Sequence, residues 1–132
     1  MMQHECNYRI SVKGIGIDAD GRVLIARETD GRWDMLGGGL EHGEDPLACL
    51  KREIFEEAGL TVTQVSPQPL YFLSFKRDNH QTYSANIIYQ IELENLDFTP
   101  SDECRELRFV SSEEALTLNL FSSLKQLFEL RR

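Results

Sequence analysis

A chain of 132 residues, 41% hydrophobic and 27% charged, has the length for one domain, over 1–132, and enough apolar content for a real core. That composition excludes wholesale disorder. The net charge of −8 speaks against a reader of long DNA or RNA, whose grip on the phosphate backbone comes from Lys and Arg.

The N-terminus, Met1 to Asn7, is polar and has no apolar signal-peptide core. The segment Tyr8 to Ile17 alternates, with Ile10 and Val12 on one face, and reads as a strand. Asp18-Ala19-Asp20-Gly21 is a turn, and Arg22 to Arg27 reads as the return strand of a hairpin. A short stretch from Trp33 to Leu36 leads into Gly37-Gly38-Gly39. A helix is expected from Asp45-Pro46, with Asp45 as N-cap and Pro46 in the first turn, to Gly59 as its stop.

Strands follow at Leu70 to Lys76 and Tyr83 to Leu93, with Arg77 to Gln81 as the hairpin loop between them. Leu107 to Val110 reads as a last strand. Ser111 and Glu114 have capping-box spacing, and Phe121 to Leu130 suits a helix packing Leu124, Leu127, Phe128 and Leu130. The expected class is α+β, a mixed, mostly antiparallel sheet with helices against it. Three unpaired cysteines, Cys6, Cys49 and Cys104, suit buried thiols rather than a disulfide framework or zinc ribbon. No apolar run reaches the length of about 20 residues that a membrane helix needs. A soluble, cytoplasmic protein is the expectation.

On a helical wheel Leu47, Leu50, Ile54 and Ala58 share the core face. Glu53, Glu56 and Glu57 share a second stripe at i, i+3 and i+4. Like charges that close repel one another, so a solvated acidic face competes with a site for a hard divalent cation. The glycine-dense loop Gly37 to Gly43 favours the site, because glycine lets a backbone approach a ligand closely.

Gly38, Glu44, Arg52, Glu53, Ile54, Glu56, Glu57, Gly59 and Leu60 fill every fixed position of the pattern Gly-x5-Glu-x7-Arg-Glu-U-x-Glu-Glu-x-Gly-U, with U a bulky aliphatic. This run resembles the Nudix box, and the element order around it is similar to the Nudix fold, an α/β/α sandwich. The resemblance implies a Mg²⁺-dependent pyrophosphohydrolase, with Mn²⁺ as a substitute. Glu53 and Glu57 would be the main metal ligands, Glu56 a third, and the Gly37 carbonyl a partner to them. Glu44 and Arg52 would form an ion pair that holds loop to helix and orients Glu53. Gly59 would be structural. Cations would neutralise a diphosphate and acidify a water. The general base would come from the acidic loop before the last strand, with Glu103 the first choice and Glu106 the second.

The substrate is less well marked. Arg27 and Arg32 are candidates for phosphate contact, with Gly38 and Gly39 as close-approach backbone; Lys76 and Arg77 are further cations. Trp33, Tyr71, Phe72, Phe75, Tyr83 and Tyr89 are candidates to face a base. Marks of the ADP-ribose, dinucleoside-polyphosphate, NADH and coenzyme A subgroups do not match. The expectation is a small nucleoside triphosphate or a nucleotide sugar such as ADP-ribose, with no long nucleic acid and no membrane as partner; a homodimer stays open. Two readings rank below it, a nucleotide-sensing domain that has lost catalysis and an RNA 5′-end pyrophosphohydrolase.

Overall fold

A computed structural model of the chain describes residues 6–77 and 81–132. Two sheets carry the fold. The first contains β1 (Tyr8–Ile15), β4 (Leu36–Gly39), β5 (Val62–Val65), β6 (Tyr71–Lys76) and β7 (Tyr83–Leu93). Its order is β4-β1-β7-β5, with β6 also on β7. The long strand β7 serves two neighbours in turn, β6 along Tyr83 to Ile88 and β5 along Ile91 to Leu93. Only β1 and β7 run parallel in this sheet; the other pairs are antiparallel. The second sheet is antiparallel, in the order β3 (Trp33–Asp34), β2 (Val23–Arg27), β8 (Glu106–Val110).

Helix α1 (Pro46–Ala58) begins as the sequence predicts, with the Asp45 carboxylate accepting from Ala48 N at 3.0 Å, and ends at Gly59 with φ 67°. It packs Cys49, Leu50, Ile54 and Ala58 against Val12, Leu36 and Ile91 of the first sheet. Leu47 departs from expectation: it is exposed, and Cys49 faces inward instead, with its Sγ 3.5 Å from the Gly39 carbonyl. On the opposite side α3 (Ser122–Arg131) lays Leu124, Leu127 and Phe128 over Ile15, Leu73 and Ile88. Leu130 is exposed and is not part of that face. A one-turn helix, α2 (Ser112–Ala115), is capped by Ser111 Oγ, which accepts from Glu114 N.

The expected β1–β2 hairpin closes only at its base. Asp18 N donates to Arg22 O, and Ile17 bridges Val23. Beyond that point the strands part into different sheets, because β2 finds its full-length partner in β8, from Val23–Val110 to Arg27–Glu106. Strands β4 and β5 were not expected. The first is mostly glycine and the second only four residues long, so neither carries a strand-like pattern. The predicted loop at Arg77 to Gln81 is closed by Arg77 N donating to Thr82 O; residues 78–80 lie outside the described residues. No helix among the described residues is long and apolar enough to cross a membrane.

Candidate functional site

Two cavities flank Gly37. The smaller, about 250 Å³, is lined by Glu53, Glu56 and Glu57 of α1 and by Ser101, Asp102 and Glu103 of the loop before β8. The loop is tied to the helix through Ser101, whose hydroxyl donates to the Glu57 carbonyl and accepts from Glu103 N. This brings the Glu103 carboxyl into hydrogen-bonding contact with Glu57. Glu106 goes elsewhere: it sits on β8, paired with Arg27 at 3.2 Å and Arg108 at 3.2 Å. Arg27 therefore meets Glu106 and lines neither of these cavities.

Arg52 organises the helix face. Its Nε and Nη2 donate to both oxygens of Glu44, at 2.7 and 2.9 Å, and Glu44 also accepts from Glu41 N. Its Nη1 donates to Glu53 Oε1 at 3.0 Å and Glu56 Oε2 at 3.2 Å. A two-pronged pair of this kind fixes geometry as well as charge. The Arg52 hydrogen bonds hold the Glu44 carboxyl down to about 2, well under its ordinary value. Gly38 lies so close to Glu53 that a Cβ there would strike the carboxylate.

Glu57 is the buried member, 8% exposed. Its Oε1 accepts from Gly37 N at 2.6 Å. Burial pushes its carboxyl up to about 9, against the pull of Lys13 and the Gly37 N–H, and the neighbouring Glu103 pushes it further. Gly37 adopts φ 121°, and a Cβ would collide with the Val12 backbone, so this close approach requires glycine. The Gly37 carbonyl accepts from Lys13 Nζ at 3.2 Å, and that ammonium also reaches Asp34 Oδ2 at 3.4 Å. Burial lowers the Lys13 pKa, but Asp34 and Glu57 outweigh it and raise the value above the ordinary one.

Lys13 opens into the larger cavity, about 540 Å³. Arg9, Glu28, Arg32, Asp34, Phe75 and Arg77 also line it, together with Gly39, Ser84, Asn86 and Phe121. Arg32 places its guanidinium 3.8 Å from the Phe121 ring centre. Burial and the neighbouring Asp34 and Asp30 push the Glu28 carboxyl up to about 7.

A NUDIX domain model matches residues 7–130. The chain belongs to the Nudix hydrolase family. It is 31% identical over 110 residues to the nucleoside triphosphatase NudI of Enterobacter sp. (strain 638), covering 74% of each chain. It is 41% identical over 56 residues to a MutT-like protein of Streptomyces ambofaciens, a match spanning 42% of this chain and only 36% of that one. The crystal structure of the MutT protein from Methanosarcina mazei Go1 superposes with a TM-score of 0.77 at 25% identity, covering 96% of this chain and 94% of that one. The Nudix fold expected from the box is thus the fold observed.

The structure gathers the box carboxylates Glu53, Glu56 and Glu57 with Glu103 in one place, brings Arg32 and Gly39 to the other cavity, and sets Gly37 between the two. Of the aromatic residues weighed for a base, Phe75 lines the larger cavity, whereas Trp33 is buried in the core. Sequence reasoning passed over Lys13, Glu28, Asp34, Asn86 and Phe121. Arg9, Ser11 and Lys13 alternate with Ile10 and Val12 in β1 and suggest a solvent face; here that face looks into the cavity. Among the described residues no three carboxylate, imidazole or thiol groups stand in a ready-made metal cage. Arg52 draws Glu53 and Glu56 aside, and Glu57 is turned to Gly37 N–H.

Proposed function

We propose that this Nudix hydrolase cleaves the phosphoanhydride of a small nucleoside polyphosphate, a nucleoside triphosphate before a nucleotide sugar, with Mg²⁺ held at Glu53, Glu56 and Glu57. The observation that carries the reading is the buried Glu57 carboxyl, facing an all-oxygen acidic cavity beside Glu103. The fit to a hard cation rests on the same residues. Their donors are carboxylate oxygens, the type Mg²⁺ prefers, and the guanidinium paired with Glu53 and Glu56, that of Arg52, is shared with Glu44. The triphosphate preference draws on the nucleoside triphosphatase named among the relatives.

When bound, Mg²⁺ neutralises diphosphate oxygens and acidifies water. Glu103 would take the proton from the attacking water as its oxygen bonds to phosphorus and the bond from phosphorus to the leaving phosphate oxygen breaks. Arg52, clamped by Glu44, holds Glu53 in line. Gly38 leaves space for that carboxylate. The nucleoside occupies the larger cavity, and Lys13 and Arg32 meet its phosphates. The net charge of −8 favours a small substrate over long RNA. Purified protein with Mg²⁺ or Mn²⁺ is to be assayed against nucleoside triphosphates, ADP-ribose, dinucleoside polyphosphates and coenzyme A. Metal-dependent release of phosphate or diphosphate from a nucleoside triphosphate is expected. Tight binding without turnover at any metal concentration would point instead to a sensing domain.

A further inference from the structure

The larger cavity opens on one face of the first sheet where that face changes character. Toward α3 its residues are apolar: Leu73 and Ile88 pack under Leu124, Leu127 and Phe128. At the other end the same face carries Ser11, Ser84 and Asn86, with Asn86 in register between Ser11 of β1 and Leu73 of β6. Asn86 is 2% exposed. Its Nδ2 is the one buried side-chain polar atom among the described residues that lacks a hydrogen-bond partner. Asparagine is a poor strand former, and an unpartnered buried donor is costly, so nothing in the fold itself calls for this residue. Phe75 sits opposite Ser84 in register, and Phe121 stacks with Arg32. The phenyl faces of Phe75 and Phe121 in the cavity wall suit a flat heterocycle.

We propose that Asn86 is a specificity-determining residue whose Nδ2 donates to an exocyclic oxygen of the substrate's base. The preferred bases then carry an oxo group at that edge, as uracil, thymine, guanine and hypoxanthine do. Adenine, whose exocyclic group is itself a donor, is disfavoured. The inference rests on the reading above that a nucleotide fills the larger cavity.

The test uses two pairs of nucleoside 5′-monophosphates that exchange an oxo for an amino group, inosine against adenosine and uridine against cytidine. Affinities are read by calorimetric titration without metal, so no turnover is needed. In the wild type, the oxo member of at least one pair should bind about tenfold more tightly or better. In Asn86→Ala that ratio should fall to near one, with a melting temperature unchanged or raised, because an unpartnered donor has been removed. If the alanine variant fails to fold, the nearly isosteric Asn86→Leu takes its place. Equal binding within both pairs, no binding of any of the four, or a ratio that survives the substitution would overturn the proposal. A protein that discriminates the pair through Asn86 yet hydrolyses no nucleotide would defeat the hydrolase reading alone. An active enzyme whose discrimination ignores Asn86 would defeat this inference alone.

Discussion

Replacing Glu57 with Gln should stabilise the metal-free protein above neutral pH. In the fold this carboxyl is pushed up to about 9 from an ordinary 4.5. Folding therefore keeps a proton on it that the unfolded chain releases, and stability falls as pH rises from 4.5 toward 9. Each pH unit costs about 1.4 kcal/mol, so the burden at pH 7.5 is at most about 4 kcal/mol. Water reaching the carboxyl through the acidic cavity screens part of this and leaves roughly 2 kcal/mol. Gln keeps the acceptor for Gly37 N–H and offers its amide to Glu103, so the substitution removes the burden without orphaning a partner. For a chain of this size that raises the melting temperature by roughly 6 °C at pH 7.5. The gap should shrink to a small remnant by pH 4.5, where half of the unfolded carboxyls are protonated too. Thermal melts in chelator at both pH values decide the matter. Equal melting temperatures at pH 7.5, or a destabilised variant with unchanged pH dependence, would refute the burial argument.

Glu103→Gln should lower kcat by about 10²-fold with little change in KM, and full turnover would remove Glu103 as base. Glu44→Gln should melt lower than wild type at pH 7, while at pH 2 the two should converge. The Glu44 carboxyl is held down to about 2, so its contribution is present above 4.5 and lost as pH falls toward 2. A difference independent of pH would mean that Arg52 does not set the Glu44 charge. Asp45→Ala should remove the helix N-cap at a cost of about 1 kcal/mol, seen as a drop of roughly 3 °C in melting temperature with turnover largely retained.

Much of the fold and the acidic half of the candidate site are legible in the sequence, because both are written in local signals. Asp45, Pro46 and Gly59 mark the ends of α1, and the spacing of Glu53, Glu56 and Glu57 places them together before any fold is known. The mispredicted hairpin shows where local signals stop. The Asp18–Gly21 turn is real, yet β2 pairs with a strand some eighty residues away, and that choice depends on partners a turn does not specify. The larger cavity is harder still. Ser11 and Lys13 on β1, and Ser84 and Asn86 on β7, alternate with apolar neighbours and so resemble any solvent-facing edge of a strand. Only the second sheet and α3 turn that face into a cavity wall. Spacing alone does not set the exposure of Glu57: its stripe suits a solvated face as well as a cation site, and closure by the Ser101 to Glu103 loop is what buries it.

The most direct measurement is hydrolysis of a nucleoside triphosphate as Mg²⁺ is titrated into chelator-treated protein, wild type beside Glu57→Gln. Release of phosphate or diphosphate that rises with Mg²⁺, and falls by about 10²-fold or more in the variant, is the predicted result. Undiminished turnover in chelator, or in Glu57→Gln, would contradict a metal centre at the α1 carboxylates.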